Sequence, residues 1–126
     1  PQDPHAFPPT WQAQIGNCAL FPVAPGGAEW STVVSRFHDS LPPSQFAVVR
    51  VQRVQNEILF SRYCREREEM ALMNGEAMLN EQLLFHGTGK TAPSVIYDGT
   101  VGFDTRLSSP SNFYGRGVYF TPRAVF

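Results

Sequence analysis

Gln82-Leu83-Leu84-Phe85-His86-Gly87-Thr88-Gly89-Lys90-Thr91 is a short apolar run that breaks into a glycine-rich turn, and its last three residues copy the ending of a phosphate-binding loop. A complete loop of that kind is Gly-x-x-x-x-Gly-Lys-Ser/Thr, and its first glycine opens the turn whose backbone N–H groups cradle the anion. Here the position of that first glycine is Leu84, inside the apolar run, where no such turn can open. Pro93 sits just inside the next helical segment, and no downstream strand ends in an Asp placed to reach magnesium. A nucleoside triphosphatase is therefore disfavoured. Gln82 to His86 is read instead as a strand delivering a histidine to a turn.

Working upstream, residues 1–8 are proline-rich and read as an extended lead-in, followed by a domain over 9–126. Ala19–Val23 is apolar and stops at Pro25-Gly26-Gly27, which predicts a strand and a turn. Trp30, Val33, Val34 and Phe37 repeat at helical spacing, so Glu29–Ser40 is an amphipathic helix ending before Pro42-Pro43. Phe46–Val54 alternates and predicts a strand. Asn56 can cap a helix running to about Leu72, with Ile58, Leu59, Tyr63 and Met70 as its apolar stripe. The charges from Arg62 to Glu69 then form its wet face. Downstream, a short helix is expected over Ala92–Asp98 with Pro93 in its first turn. Gly99 and Gly102 break it, residues 107–113 form a polar loop, and Gly117–Phe120 is a strand. Strands and helices neither alternate strictly nor segregate, which places the chain in the α+β class.

The composition excludes several functions. The chain has 126 residues with 42% hydrophobic and 17% charged, enough for one domain with a core. Ten basic against eleven acidic residues give a net charge of -1, which argues against a broad basic face for nucleic acid. Cys18 and Cys64 lie far apart and belong to no metal-binding pattern, so reduced thiols in the cytoplasm or nucleus are expected. No metal site and no membrane-length apolar run is visible. Pro1 in place of Met, and an end inside Ala124-Val125-Phe126, are expected of a piece of a longer protein.

Three short phrases carry the chemistry: Leu84-Phe85-His86-Gly87-Thr88, Gly102-Phe103-Asp104-Thr105-Arg106 and Tyr114-Gly115-Arg116-Gly117-Val118-Tyr119-Phe120. Taken singly, each has a plain structural explanation. A lone histidine at a strand end is usually a satisfied structural residue, Gly-x-Gly is usually a tight turn, and a tyrosine between Val and Phe is a core aromatic. In this order, they resemble the poly(ADP-ribose) polymerase family of ADP-ribosyltransferases. The likeness extends upstream through Pro9-Thr10-Trp11, Val51-Gln52-Arg53-Val54-Gln55-Asn56 with Leu59-Phe60 and Tyr63, and Asn80-Glu81-Gln82. The wording is most similar to the mono-ADP-ribosylating branch.

The resemblance implies an ADP-ribosyltransferase fold, a split β-sandwich with helices that is incomplete in this chain, binding NAD+ as substrate without a metal. It implies that His86 bonds the 2'-hydroxyl of the nicotinamide ribose and that Gly87 holds the carboxamide through its backbone. Thr88 would contact the adenosine side, and Tyr119 would pack against nicotinamide. Asp104, Tyr114 and Gly117 complete the implied NAD+-contacting set, and Leu107 to Phe113 is the implied loop over the dinucleotide. His86 and Tyr119 are the implied catalytic pair, and protein side chains the implied acceptors. The chemistry agrees: one residue's N–H and C=O match a carboxamide, and a glycine lets a flat ring approach the main chain. The same likeness implies a second aromatic and a third site residue following the Tyr119 strand, beyond Phe126. Residues 1–126 alone are thus expected to have unpaired strand edges and no turnover. The contrasting expectation is an inactive relative that keeps the fold and binds NAD+, ADP-ribose or a partner protein.

Overall fold

A computed structural model of the chain describes residues 5–107 and 117–124. In chain order the elements are β1 (Cys18–Pro22), α1 (Ala28–His38), β2 (Gln52–Asn56), α2 (Glu57–Asn74) and α3 (Pro93–Tyr97). Single 3-10 turns lie at Glu76–Met78 and Thr105–Leu107. Helices and a small antiparallel sheet are thus mixed along the chain, as the α+β reading requires.

β1 and β2 pair antiparallel, with Cys18 opposite Asn56, Leu20 opposite Val54 and Pro22 opposite Gln52. One further bond, Val23 N–H to the Val51 carbonyl at 2.9 Å, extends the contact. The strand expected over Phe46–Val54 is therefore displaced: pairing occupies Gln52–Asn56, and residues 46–51 form no strand. Alternating hydrophobicity sets which way side chains face, but a strand also needs an edge to bond. β1 offers only the five residues Cys18–Pro22 as an edge, and it ends near two prolines, Pro22 and Pro25, that carry no N–H.

The tightest packing in this sheet is polar. Gln55 is fully buried and Asn56 is 4% exposed, whereas Val23 and Cys64 are the buried apolar side chains among the described residues. The Gln55 amide mimics a strand partner for the segment before β1. Its Oε1 accepts from the Gln12 N–H at 2.9 Å, and its Nε2 donates to the Gln12 carbonyl at 2.9 Å and to Gln14 Oε1 at 2.7 Å. Arg53 adds a bond to the same Oε1 at 2.9 Å and an ion pair to Glu29 of α1 at 2.6 Å. A buried amide with every group bonded avoids the desolvation penalty that an unpaired one incurs.

Asn56 ends β2 and caps α2, as its position before the helical run predicts. Three of the four N–H groups that a helix leaves open find partners in Asn17 and Asn56. Glu57 donates to the Asn17 carbonyl (2.9 Å), Ile58 to Asn17 Oδ1 (2.9 Å) and Leu59 to Asn56 Oδ1 (3.0 Å). The expected stripe on α2 is corrected in part: Leu59 is half-buried as expected, Ile58, Tyr63 and Met70 are exposed, and the further inward residues are Phe60, Cys64 and Ala71. Those three also repeat at helical spacing. Phe60 meets Trp11 at 5.1 Å and Phe7 at 5.9 Å, both with tilted rings, so the opening segment crosses the helix there and fixes its rotation. α3 starts with Pro93 at its first turn, where a missing N–H costs nothing.

Candidate functional site

Two segments far apart in sequence meet at one isolated bridge. Phe85 donates to the Thr121 carbonyl at 2.7 Å, and Thr121 returns a bond to the Phe85 carbonyl at 3.0 Å. The strands expected at Gln82–His86 and Gly117–Phe120 are accordingly reduced to this single pair. Among the described residues, neither segment has a second edge to extend a ladder. The bridge nevertheless sets register. It puts His86 opposite Phe120 and next to Tyr119, and His86 Nδ1 lies 2.9 Å from the Tyr119 carbonyl oxygen.

That contact determines which ring nitrogen carries a proton. A carbonyl only accepts, so Nδ1 must be the N–H, and in a neutral imidazole Nε2 then keeps its lone pair. The ring is held on its faces as well. Phe103 meets it edge-on at 4.8 Å and Phe120 lies at 5.4 Å, while Phe103 and Phe120 contact each other at 4.8 Å. Three aromatic rings in mutual contact leave the histidine little rotational freedom.

Phe103 reaches this position because of Gly102. Its φ of 77° belongs to the left-handed region, and an added Cβ would stand 3.5 Å from the Leu59 side chain. The loop is also tied to the start of α2. Asn56 Nδ2 donates to the Tyr97 carbonyl at 2.9 Å and to the Gly99 carbonyl at 2.7 Å, and Arg62 bonds the Thr100 carbonyl. Cys18 points its thiol at the same Tyr97 carbonyl at 3.4 Å. Burial pushes that thiol's pKa up, and the neighbouring Asp98 carboxylate adds to the effect. From the other side, Arg36 of α1 bonds the Leu83 carbonyl at 3.0 Å and steadies the approach to Phe85.

A cleft of about 800 Å³ opens at this junction. Its wall contains His86, Gly87 and Thr88 from one segment, Asp104 from the second, and Gly117 and Tyr119 from the third. Six of the seven residues singled out from sequence therefore share one cavity. The seventh, Tyr114, lies outside the described residues, as does the expected covering loop apart from Leu107. A Cβ on Gly87 would meet no atom within 4 Å, so the glycine leaves its main chain open. At Gly117 a Cβ would touch the Tyr119 ring at 3.4 Å.

Asp104 is held by Arg106 through bonds of 2.9 and 3.0 Å from Nε and 2.6 Å from Nη2. These bonds, with the Arg106 backbone N–H, keep its carboxyl below the usual aspartate range, and Arg106 is raised in turn. Sequence reading passed over two contributors to the cleft. Phe103 lay inside the Gly-Phe-Asp phrase but was not singled out, and Lys90 had been weighed only as a phosphate-loop residue. Among the described residues no group of three or more His, Cys, Asp or Glu gathers as metal ligands. No helix there is long and apolar enough to cross a membrane.

Comparison with known proteins gives the family. The family model for the poly(ADP-ribose) polymerase catalytic domain matches residues 28–125. The chain is 33% identical over 111 residues to human protein mono-ADP-ribosyltransferase PARP14, covering 87% of the chain and 6% of that protein. It is 32% identical over 109 residues to a probable poly(ADP-ribose) polymerase of Dictyostelium discoideum, covering 85% of the chain and 32% of the relative. Human protein mono-ADP-ribosyltransferase PARP11 is 28% identical over 124 residues, 95% of the chain and 35% of the relative. The chain thus spans about a third or less of the length of these relatives. With the family model covering most of its residues and the cleft built from the same phrases, the chain belongs to the poly(ADP-ribose) polymerase catalytic-domain family.

Proposed function

We propose that this chain supplies the nicotinamide-gripping side of an enzyme that transfers a single ADP-ribose from NAD+ to a protein side chain and releases nicotinamide. The observation that carries the reading is the meeting of His86, Gly87 and Tyr119 on one cleft, with His86 fixed by the Tyr119 carbonyl at 2.9 Å. The names of the relatives support the mono-transferring form.

The chemistry follows from the tautomer. With Nδ1–H committed to a carbonyl, Nε2 is the acceptor that receives the 2'-hydroxyl of the nicotinamide ribose. Gly87 matches the carboxamide, its N–H donating to the amide oxygen and its C=O accepting from the amide nitrogen. The Tyr119 ring packs on the pyridinium face and excludes water. As the bond between nicotinamide and C1' lengthens, the sugar gains oxocarbenium character and the departing ring loses its positive charge. A site that already holds both pieces lowers the barrier by positioning and by fixed dipoles. The acceptor side chain then attacks C1' and gives up its proton.

We further infer that residues 1–126 by themselves do not turn over NAD+. The chain exposes 9520 Å², against about 6,700 Å² for a compact monomer of its mass. Leu72, Met73, Ile15 and Val49 are each more than 80% exposed, which supports further covering surface in the working enzyme. The free thiols of Cys18 and Cys64 support a reducing location, cytoplasm or nucleus.

The test is NAD+ consumption by the full-length protein, paired with thermal shifts for NAD+ analogues and for ATP–Mg2+. The reading expects stabilisation by the NAD+ series and a loss of roughly a hundredfold or more in nicotinamide release for His86→Ala. Stabilisation by ATP–Mg2+ alone, or unchanged release from His86→Ala, would refute it.

A further inference from the structure

The Gly89-Lys90-Thr91 turn is unused by the reading above, yet all three residues line the same cleft as His86 and Tyr119. Its features point to an anion. Lys90 is exposed, and no hydrogen bond or ion pair engages its ammonium among the described residues. The other formally charged side chain on the cleft wall is Asp104, and Arg106 already neutralises it through three bonds. The cleft therefore presents one uncompensated positive charge, and it stands four residues beyond the proposed ribose ligand.

The backbone around Lys90 is equally uncommitted. Among the described residues the N–H groups of Gly87, Thr88, Gly89, Lys90 and Thr91 donate to no protein acceptor. Gly89 does not have a left-handed φ, and an added Cβ there would meet nothing within 4 Å. Nothing inside the protein demands a glycine at 89. An absent side chain next to free N–H groups and a lysine does admit a phosphate to the main chain. The spacing fits a dinucleotide, whose diphosphate is attached to the 5' carbon of the ribose that His86 would hold. The four residues from His86 to Lys90 reach at most about 14 Å when extended. The lysine arm shortens the remaining gap.

We propose that Lys90 and the Gly89–Thr91 main chain form the diphosphate seat for the dinucleotide, an inference that rests on the NAD+ reading of the cleft. The Gly-Lys-Thr wording is then anion chemistry of the ordinary kind, reached without the opening glycine and magnesium partner of a triphosphatase. Lys90 acts in binding and places the substrate, while bond cleavage stays with the nicotinamide end.

The experiment measures Kd on the full-length protein for four probes: NAD+, ADP-ribose, nicotinamide and ATP–Mg2+. Lys90→Gln should weaken NAD+ and ADP-ribose about tenfold, the loss expected of one charged hydrogen bond. Nicotinamide, which has no phosphate, should bind as before. Lys90→Arg should retain most of the affinity, and the salt dependence of NAD+ binding should flatten in Lys90→Gln. Three outcomes overturn the proposal and leave the NAD+ reading intact: NAD+ affinity of Lys90→Gln within about twofold of wild type, an equal loss for nicotinamide, or an unchanged salt dependence. A wild-type protein that binds ATP–Mg2+ and not NAD+ would overturn both.

Discussion

Asn56 makes four hydrogen bonds at once, and replacing it with aspartate separates two roles that alanine removes together. Its Oδ1 accepts from the Leu59 N–H at 3.0 Å and from Asn17 Nδ2 at 3.1 Å, while its Nδ2 donates to the Tyr97 and Gly99 carbonyls at 2.9 and 2.7 Å. Asn56→Ala loses the cap, about 1 kcal/mol. It also strands the Gly99 carbonyl and leaves the Tyr97 carbonyl only the Cys18 thiol, at up to about 1 kcal/mol each, for a total of about 2–3 kcal/mol. Asn56→Asp keeps both accepted bonds and gains about 0.5 kcal/mol from a negative charge at a helix N-terminus. It loses both donated bonds and turns an anionic oxygen toward two carbonyl oxygens at a position 4% exposed. That substitution adds a desolvation penalty of about 1–3 kcal/mol. Aspartate should therefore be as harmful as alanine or worse, although the two residues are equivalent as caps. Urea titration followed by tryptophan fluorescence is a suitable assay, because Trp11 packs on Phe60 of the capped helix. Burial against carbonyls would raise the new carboxyl's pKa, so the folded variant binds its proton more tightly than the unfolded chain. Its deficit should then shrink as pH falls from neutrality toward that raised pKa. An aspartate variant within about 0.5 kcal/mol of wild type would show that Asn56 is only a cap, and the argument would fail.

The same loop offers two further tests. Gly102→Ala forces a residue with a side chain into a left-handed φ of 77°, although its Cβ would make only ordinary contact with Leu59, and should cost about 1–2 kcal/mol while weakening NAD+ binding through Phe103; a neutral melt with intact binding would contradict this. The Asp104 carboxyl is depressed by Arg106, so its contribution is complete above the ordinary aspartate range and is lost as pH falls through the lowered folded value. NMR of the side-chain carboxyl should show a titration below that of a free aspartate, and Arg106→Ala should return it to the ordinary range.

Local signals were the readable ones. α1 and α2 appear in the spacing of Trp30, Val33 and Phe37 and in the cap Asn56, and α3 in Pro93, because each depends on neighbours within a turn. The strand at Phe46–Val54 failed from 46 to 51 because pairing depends on an edge elsewhere in the chain, and β1 is short. The stripe on α2 held at Leu59 and failed at Ile58, Tyr63 and Met70, because tertiary contact with Trp11 and Phe7, absent from any local pattern, chose Phe60 as an inward residue. At the site, the phrases brought His86, Gly87, Thr88, Asp104, Gly117 and Tyr119 to one cleft. What no phrase revealed was the ring contact between Phe103 and His86, or the lysine sharing their cavity. Both depend on how the loop after α3 folds back, which Asn56 controls from 41 and 43 residues away.

The amide of Gln55 has one more consequence. Grease between two surfaces tolerates sliding, since any methyl can replace another against its neighbour. An amide that meets a particular N–H and a particular carbonyl does not, because a shift of one residue would misalign every partner together. The joint of the opening segment, β2 and α2 therefore behaves as a rivet. On the outer helix face, Arg65, Glu66 and Glu69 are exposed and can change without moving the loop that carries Phe103 to the histidine.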